Sequence, residues 1–185
     1  MLEKVYAERQ ILERADNPYI VKLHFAFQTE TKLYLVMDYL NGGELFSYIK
    51  REKKFDEHRA KIYAAELVEA ISYLHKHNII YRDLKPENVL FDSKGHVRLT
   101  DFGLSKHGMS SSHLTSSFCG TIDYLAPEIV SGNGYSVKVD WWSWGTLLYQ
   151  MLSGRPPHFS NNKDKMLRDI VTRDVIIKPE FSPQA

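Results

Sequence analysis

The order of hydrophobic and polar residues changes period near the start of the chain. Apolar residues recur at helical spacing over residues 1–14, and the Asn-Pro pair at residues 17 and 18 breaks that pattern. Residues 21–27 alternate between apolar and polar side chains, and after a polar turn a short apolar run occupies residues 33–37. The pattern therefore predicts a helix followed by two strands that pair as a hairpin.

A glycine pair at residues 42 and 43 ends this part of the chain, and the sequence beyond it reads as mainly helical. A clean apolar stripe at helical spacing runs from residue 60 to residue 74, with Asp56 as the predicted N-cap. Another apolar helix is predicted from about Asp140 to the Ser-Gly pair at residues 153 and 154. Because that helix is apolar on nearly every side, we expect it to be central.

Short β-prone pieces and one long polar segment lie between these helices. Residues 88–91 and 96–99 flank a Ser-Lys-Gly turn and are predicted as short strands. Residues 104–120 contain six serines and two glycines without any periodicity. Such a composition predicts a flexible loop.

Composition and charge are those of an ordinary soluble domain. The 185 residues suit one domain, and 43% apolar with 25% charged residues is typical of a protein that buries a core. A formal net charge of +1 gives no electrostatic basis for binding nucleic acid, and no apolar run approaches the roughly 20 residues of a membrane span. Cys119 is the only cysteine, and the charged N-terminus is not a signal peptide. We therefore expect a cytoplasmic protein, with the nucleus as a second location.

Two motifs place the chemistry of phosphoryl transfer from ATP in the middle of the chain. Residues 81–88 read YRDLKPEN and residues 101–103 read DFG. The Asp83 carboxylate can accept the proton of an attacking hydroxyl, and the Lys85 ammonium can lie against the moving phosphoryl group. The amide oxygen of Asn88 and the carboxylate of Asp101 can hold magnesium across the phosphates.

The joint occurrence of these motifs is more specific than either one alone. Asp101 follows Asn88 by 13 residues, and an Ala-Pro-Glu sequence stands downstream at residues 126–128. Asp83 could otherwise be an ordinary turn-forming aspartate, and Asn88 a satisfied loop amide. Neither interpretation explains why the two recur with Lys85 between them.

On these residues, and on GGELF at 42–46, SFCGT at 117–121 and DWW at 140–142, the chain resembles eukaryotic protein kinases of the AGC group. It is most similar there to the ribosomal S6 kinases. The resemblance begins at about residue 3 and reaches the C-terminus. It implies an α+β, protein kinase-like fold, and Lys85 together with Thr121 points to serine/threonine specificity.

The same resemblance implies the division of the chain into lobes. Residues 1–40 would be a partial N-terminal lobe, in which a regulatory helix and short antiparallel strands lead to the hinge. Residues 41–185 would be an incomplete, mainly helical C-terminal lobe.

The resemblance also implies roles for individual residues, with ATP and magnesium as cofactors. Thr121 and Asn88 would orient the catalytic base, and Glu8 would pair with the ATP-binding lysine of the family. Without the resemblance, Glu8 would be interpreted as a solvated residue on a helix surface. The implied catalytic residues are Asp83, Lys85, Asn88 and Thr121, the magnesium ligands are Asn88 and Asp101, and the nucleotide-binding residues are Met37, Asp38, Leu40, Glu44, Glu87 and Leu90.

Ser117 matches the activation-loop phosphorylation site of the AGC group, which implies an upstream activating kinase. A phosphate on Ser117 would add nearly two negative charges, and Arg82 could pair with it bidentately. Lys106 and Lys4 are candidate second donors. A merely flexible polar loop would explain the composition of this segment but not the placement of Arg82.

Further residues match structural positions of the family. Leu12, Leu23, Tyr81 and Phe102 correspond to the stacked apolar column that aligns the lobes, although four ordinary core residues would be equally buried. Asp140 would cap its helix and brace the catalytic loop through backbone amides. Glu128 would pair with an arginine of a later helix, and Cys119 reads as part of an exposed loop.

Several departures from the family pattern shape our expectation of activity. The sequence contains no Gly-x-Gly-x-x-Gly motif and no Val-Ala-x-Lys strand, and it stops before the arginine expected opposite Glu128. We therefore expect a kinase fragment with little activity alone and with open sheet edges that invite aggregation. There are also three smaller departures. His158 is inserted into the usual Pro-Pro-Phe sequence. Trp144 stands where the group normally has a smaller apolar residue, and Gln150 stands where it often has an acidic residue.

Substrate preference and function class stay open at this point. Glu44 and Glu87 suggest protein substrates with basic residues before the target serine or threonine, while Gln150 weakens that expectation. The alternative to a phosphotransferase is a non-catalytic kinase-like binding module, for which Asp83, Lys85 and Asn88 would have no physical use. A small-molecule kinase is disfavoured by the Ala-Pro-Glu motif and the long loop before it.

Overall fold

A computed structural model describes the backbone of residues 2–109 and 114–184 and, within these ranges, the side chains from Val5 onward. Helix α1 spans Leu2–Leu12 and ends two residues earlier than predicted, because the chain turns at residues 13 and 14. The predicted hairpin is confirmed, since strands β1 (Leu23–Gln28) and β2 (Leu33–Met37) pair antiparallel.

The remainder of the described chain is a mainly helical body with short strand pairs and isolated bridges near the site. Strand β3 (Ile79–Ile80) pairs with β6 (Lys106–His107), and β4 (Val89–Phe91) pairs with β5 (Val97–Leu99), both antiparallel. The 3₁₀ turn Pro86–Asn88 ends the YRDLKPEN motif, and the 3₁₀ turn Ile122–Tyr124 follows the SFCGT motif. The elements are α2 (Leu45–Glu52), α3 (Glu57–Lys76), β3 (Ile79–Ile80), β4 (Val89–Phe91), β5 (Val97–Leu99), β6 (Lys106–His107), α4 (Pro127–Val130), α5 (Val139–Ser153) and α6 (Lys163–Thr172).

The core forms where α3 packs against α5. Asp56 caps α3 as predicted, accepting a hydrogen bond from the Arg59 amide at 2.9 Å. Leu67 and Leu74 of α3 are fully buried in one cluster with Leu147 of α5. Helix α5 is thus buried at the centre, as its apolar surface predicts.

The N-terminal elements attach to this core through the segment between α1 and β1. The amide of Val21 donates to the Leu99 carbonyl at 3.0 Å, and the amide of Leu99 donates to the Tyr19 carbonyl at 2.8 Å. Ile11 and Leu12 of α1 are buried in the same cluster as α3. This arrangement places the hairpin and the 81–103 region side by side.

The structure corrects the prediction of a featureless loop at residues 104–120. Lys106 and His107 form β6, and Thr115 makes an antiparallel bridge with Tyr135. These contacts depend on partners that are distant in sequence, so local composition does not reveal them. The serines at 110–112 lie outside the described residues.

Helix α6 was not predicted from the sequence pattern. It is ten residues long and buries Met166 and Ile170, while its other apolar residues, Leu167 and Val171, are half-buried and exposed. Its start is nevertheless well defined, because the Asn162 side chain accepts from the Lys165 amide at 3.0 Å. Among the described helices, none is both long and apolar enough to cross a membrane.

One face of the hairpin carries apolar side chains that remain in solvent. Phe25 lies opposite Val36 and Phe27 opposite Tyr34, and the rings of Phe27 and Tyr34 stack with centroids 4.9 Å apart. Phe25 is 68% exposed and Phe27 is 52% exposed. Within the ranges given above, the two strands form a two-stranded sheet that pairs with no further strand. Exposed aromatic faces and unpaired strand edges favour association between chains.

We predict that the double substitution Phe25→Thr and Phe27→Thr reduces self-association, because it removes apolar surface while keeping residues that suit a strand. Sedimentation velocity over a concentration series measures the effect. The matched control is Phe159→Thr, which removes an exposed phenylalanine from another surface. Equal association of all three proteins would contradict the prediction.

Candidate active site

The loop that follows β3 is held in place by one buried carboxylate on the central helix. Asp140 Oδ2 accepts from the Tyr81 amide at 2.9 Å, and Oδ1 accepts from the Arg82 amide at 2.8 Å. His75 Nε2 lies 2.7 Å from Oδ2, and Asp140 is fully buried. These contacts fit the predicted bracing of the catalytic loop. The predicted capping role is wrong, because Asp140 is the second residue of α5 and its carboxylate points to the loop rather than to the helix start.

Asp83 comes directly after Arg82 in the loop, and its carboxylate contacts three of the predicted catalytic side chains. Lys85 Nζ lies 2.8 Å from Oδ2, and Asn88 Nδ2 donates to the same oxygen at 3.0 Å. Thr121 Oγ1 donates to Oδ1 at 3.3 Å. Asn88 also donates to the Asp83 carbonyl at 2.9 Å, so the carboxylate is fixed in direction from several sides. Asp83 is itself buried, and its oxygens face this polar cluster.

Gly120 allows the segment bearing Thr121 to come this close. Its φ is +106°, in the region that favours glycine. A Cβ at this position would lie 2.9 Å from the Arg82 carbonyl oxygen and 2.9 Å from Leu125 Cδ2. A larger residue would therefore push the segment away from Asp83.

The DFG segment brings Asp101 to the edge of the same cluster with unusual backbone geometry. Asp101 has φ of +54° and Arg82 has φ of +70°, which few non-glycine residues adopt. Asp101 is exposed, and its Oδ1 accepts from the Gly103 amide at 3.2 Å. Phe102 is fully buried and packs edge-on against Tyr81, with ring centroids 5.2 Å apart.

Glu8 reaches from α1 to this segment. Its Oε1 accepts from the Phe102 amide at 3.2 Å. Burial raises the pKa of Glu8, the Phe102 amide lowers that pKa in part, and the charge of Asp101 raises it further. A solvated helix-surface role is therefore wrong for Glu8, because the carboxylate is half-buried and bonded to the neighbour of Asp101.

The predicted apolar column is largely buried. Leu12, Tyr81 and Phe102 are inaccessible to solvent or nearly so, whereas Leu23 is half-buried. The Tyr81 hydroxyl donates to the Thr100 carbonyl, and burial raises the pKa of Tyr81 well above its usual value. The column therefore contains one polar group, and that group is satisfied.

The residues assigned to nucleotide binding lie on the hairpin end, the following linker and β4. Met37 ends β2 and is 40% exposed. The Asp38 amide already donates to the Lys22 carbonyl at 3.0 Å, and its side chain lies 2.8 Å from His24 Nε2. Only the Asp38 carbonyl and the backbone groups of Leu40 thus remain for a base. Leu90 and Leu40 are half-buried, while Glu44 and Glu87 are exposed.

The donor set near Asp83 suits magnesium. Because Asn88 Nδ2 is committed to Asp83, its amide oxygen is left to face a cation. Asp101 adds an exposed carboxylate. Magnesium prefers oxygen ligands and binds through one or two carboxylates together with phosphates. In the part of the chain that the structure describes, no three histidine, cysteine, aspartate or glutamate side chains gather into a group that could hold a metal ion.

Arg82 links the catalytic loop to Ser117. Its Nε donates to the Leu104 carbonyl at 2.7 Å, and its Nη1 donates to Ser117 Oγ at 2.9 Å. The predicted second donor Lys106 instead reaches Thr115 Oγ1 at 3.2 Å, two residues from Ser117. The side chain of Lys4 lies outside the described residues. Ser117 is exposed and open to modification.

Some contacts of the site were missed by the sequence analysis or differ from it. His75 and the buried Tyr135 contact Asp140 and Ser117 across long sequence distances, and no local signal indicates them. Cys119 is half-buried, with Sγ 3.8 Å from the Tyr135 hydroxyl, so its assignment to an exposed loop is wrong. Among the side chains that are described, Glu128 has no cationic partner within 4.0 Å.

Lys85 and Asn88, which the sequence analysis assigns to phosphoryl transfer, thus lie within hydrogen-bond distance of the Asp83 carboxylate. The family described as "Protein kinase domain" matches residues 1–184. The chain therefore belongs to the protein kinase domain family.

Curated relatives define the group within that family. The chain is 54% identical over 179 residues to "Protein kinase 2" of Dictyostelium discoideum, covering 97% of this chain and 37% of the relative. It is 48% identical over 185 residues to the "RAC family serine/threonine-protein kinase homolog" of the same organism, covering 100% of this chain and 42% of the relative. It is 50% identical over 182 residues to human "Serine/threonine-protein kinase Sgk1", covering 98% and 42%.

These relatives confirm the predictions of the AGC group of serine/threonine kinases and of a partial, mixed α and β kinase fold. The chain spans about two fifths of the length of the relatives that it matches.

We predict that Asp140→Asn loosens the catalytic loop, because an amide nitrogen would face one of the backbone amides that the carboxylate now accepts. An unsatisfied buried donor costs about 1–3 kcal/mol, and the free energy of unfolding should fall by that amount. Urea unfolding measures the loss, and hydrogen exchange at Tyr81 and Arg82 locates it.

The control is Asp164→Asn, an exposed site at the start of α6. Unchanged exchange at both loop amides in Asp140→Asn would show that the carboxylate does not hold the loop.

Proposed function

We propose that this chain supplies the catalytic centre for transferring the γ-phosphoryl group of ATP to serine or threonine hydroxyls of proteins. The observation that carries the proposal is the Asp83 carboxylate, held by Lys85, Asn88 and Thr121 at 2.8–3.3 Å. A carboxylate oriented by three side chains is suited to accept a proton from a hydroxyl.

The chemistry of each side chain follows from its contacts. Oδ2 of Asp83 already has two partners, whereas Oδ1 accepts only from Thr121, so Oδ1 has capacity for the substrate hydroxyl. Lys85 bridges Asp83 and Thr121, with Nζ 3.3 Å from Thr121 Oγ1, and its charge offsets negative charge on the transferred group. The proton of the hydroxyl would pass to Asp83.

The nucleotide would lie between the hairpin end and β4. Met37, the Asp38 carbonyl and Leu40 are suited to the base, and Leu90 offers a half-buried apolar surface beneath it. Asn88 and Asp101 would hold magnesium, which neutralises phosphate charge when bound.

We propose that the protein substrates carry basic residues before the target serine or threonine. Glu44 and Glu87 are exposed carboxylates near the catalytic loop. Burial raises the pKa of Tyr124, and the negative charges of Glu87 and Asp123 raise it further. A surface with this charge favours cationic peptides.

Phosphorylation of Ser117 by an upstream kinase is the proposed form of regulation. The hydroxyl is exposed and lies 2.9 Å from Arg82 Nη1. Because Arg82 Nε is bound to Leu104, a phosphate would be met by the remaining guanidinium nitrogens.

We also propose that the 185 residues alone transfer phosphate slowly. Their sequence contains neither a Gly-x-Gly-x-x-Gly motif nor a Val-Ala-x-Lys strand, and in the family these groups position the phosphates. The alternative function, a non-catalytic binding module, gives no reason for the three hydrogen bonds that orient Asp83.

We predict that Asp83→Asn lowers magnesium-dependent phosphate transfer to a basic serine peptide by about 10²–10⁴-fold, because the amide cannot accept the proton. Radiolabelled phosphate transfer measures it, with magnesium-dependent ATP binding as a parallel readout. Asp56→Asn, an N-cap replacement on α3, is the control and should keep full activity. ATP binding without transfer by the unaltered chain would favour the binding module instead.

We predict that Gln150→Glu strengthens the preference for an arginine before the target serine. Gln150 is 8% exposed, and its side chain accepts a hydrogen bond from the hydroxyl of Tyr124, whose pKa the charges of Glu87 and Asp123 help to raise after burial, the larger cause. A charged partner adds roughly 1 kcal/mol to a hydrogen bond with arginine, so the ratio of kcat/KM for arginine and alanine peptides should rise about fivefold to tenfold.

Gln10→Glu, on the exposed surface of α1, is the matched charge control. An equal rise in both variants would point to overall charge rather than to a contact at residue 150.

A further inference from the structure

Tyr135 is a buried residue whose side chain carries one polar atom, the hydroxyl oxygen, and this oxygen faces Ser117. Its ring is 2% exposed and packs in an apolar cluster with Leu125 and Ile129. Its hydroxyl donates to the Ser117 carbonyl at 2.6 Å. The same oxygen lies 3.4 Å from Ser117 Oγ and 3.4 Å from Arg82 Nη1.

The backbone of Tyr135 holds the segment at a second point. Its amide donates to the Thr115 carbonyl at 2.9 Å, and the Thr115 amide donates back to the Tyr135 carbonyl at 2.9 Å. Residue 135 thus binds residue 115 through its main chain and residue 117 through its side chain. The two contacts lie two residues apart on the same stretch of chain.

Apolar packing does little to hold Ser117 in place. Ser117 is exposed, and the neighbouring Phe118 is 62% exposed. Arg82, in contrast, is fixed independently, because its Nε is bound to the Leu104 carbonyl and its amide to Asp140. The distance between Ser117 and Arg82 therefore depends on what holds the Ser117 main chain, and the Tyr135 hydroxyl is the described side-chain group that does so.

We propose that the Tyr135 hydroxyl is a positioning group that keeps Ser117 within reach of Arg82 before any modification. A phosphate added to Ser117 then meets a cation already in place, and less conformational freedom is lost when the two pair. This inference rests on the proposed role of Ser117 as the regulatory phosphorylation site.

The test uses the 185-residue chain with phosphoserine incorporated at position 117, so that no upstream kinase is needed. Phosphorus NMR measures the pKa of the second ionisation of the phosphate. This pKa is about 6 for free phosphoserine, and it falls when a cation lies close to the phosphate. Three variants are compared with the parent: Arg82→Gln, Tyr135→Phe and Tyr149→Phe. Tyr149→Phe is the matched control, because the Tyr149 hydroxyl also donates to a main-chain carbonyl, that of Ile176 at 3.0 Å.

Arg82→Gln should return the phosphate to the behaviour of a free phosphopeptide. In Tyr135→Phe, the pKa of the second phosphate ionisation should move at least half of the way from the parent value to the Arg82→Gln value. In Tyr149→Phe it should not move. If Arg82→Gln shifts the ionisation and Tyr135→Phe does not, the positioning role is overturned while the pairing of Arg82 with phosphate stands. If Arg82→Gln has no effect, the pairing and the inference built on it both fail.

Hydrogen exchange on the unmodified chain separates positioning from general damage. Tyr135→Phe should speed exchange in residues 114–118 and leave the amides of α5 unchanged. Equal acceleration in both regions would mean that the hydroxyl supports the fold rather than the placement of Ser117, and would overturn the inference.

Discussion

The contact between the Asp140 carboxylate and the catalytic loop is the interaction on which the site depends. Burying a charge is costly unless it is hydrogen-bonded, and here two backbone amides and a histidine satisfy it. Its helix is the central one, packed against α3, so the anchor is rigid. Because the amides of residues 81 and 82 are both bound, the position of Asp83 follows from theirs.

Two neighbouring side chains of this loop form hydrogen bonds to the two ends of the segment 117–121. Arg82 bonds to Ser117, and Asp83 bonds to Thr121. The residues between them are Phe118, Cys119 and Gly120; Phe118 is 62% exposed and the other two are half-buried, so apolar burial does little to order this segment. Charge-assisted hydrogen bonds take that role instead. Under the proposed roles of Ser117 and Asp83, regulation and catalysis would be connected through adjacent residues of the loop, without any long pathway.

The parts of the structure that follow local rules could be predicted from the sequence. The hairpin and α3 have clear periodicity, and α5 is apolar on nearly every side, so all three elements could be predicted. In α3 the periodicity also indicates the buried face, whereas the Phe25 and Phe27 face of the hairpin lies in solvent. Motif spacing also identified Asp83, Lys85 and Asn88, which the structure brings within hydrogen-bond distance of one another.

Contacts across long sequence separations could not be predicted in this way. The direction of the Asp140 side chain and the hydroxyl contacts of Tyr135 depend on the folded arrangement of distant residues. The β3–β6 pair is two residues long, too short to leave a pattern. Helix α6 is only ten residues long, and its apolar residues Met166, Leu167, Ile170 and Val171, although at helical spacing, were not recognised in the sequence.

The hairpin carries a consequence for how the molecule opens. It consists of two strands with one aromatic face in solvent, whereas Asp83 sits on a loop tied to the most buried helix. Local unfolding free energies follow burial, so the two halves of the site belong to units of unequal stability. Under the proposed function, the nucleotide end could melt while the end that receives the phosphoryl acceptor stays intact. The proposed proton acceptor would then be the more durable half of the site, and nucleotide affinity would be the property that heat or denaturant removes first.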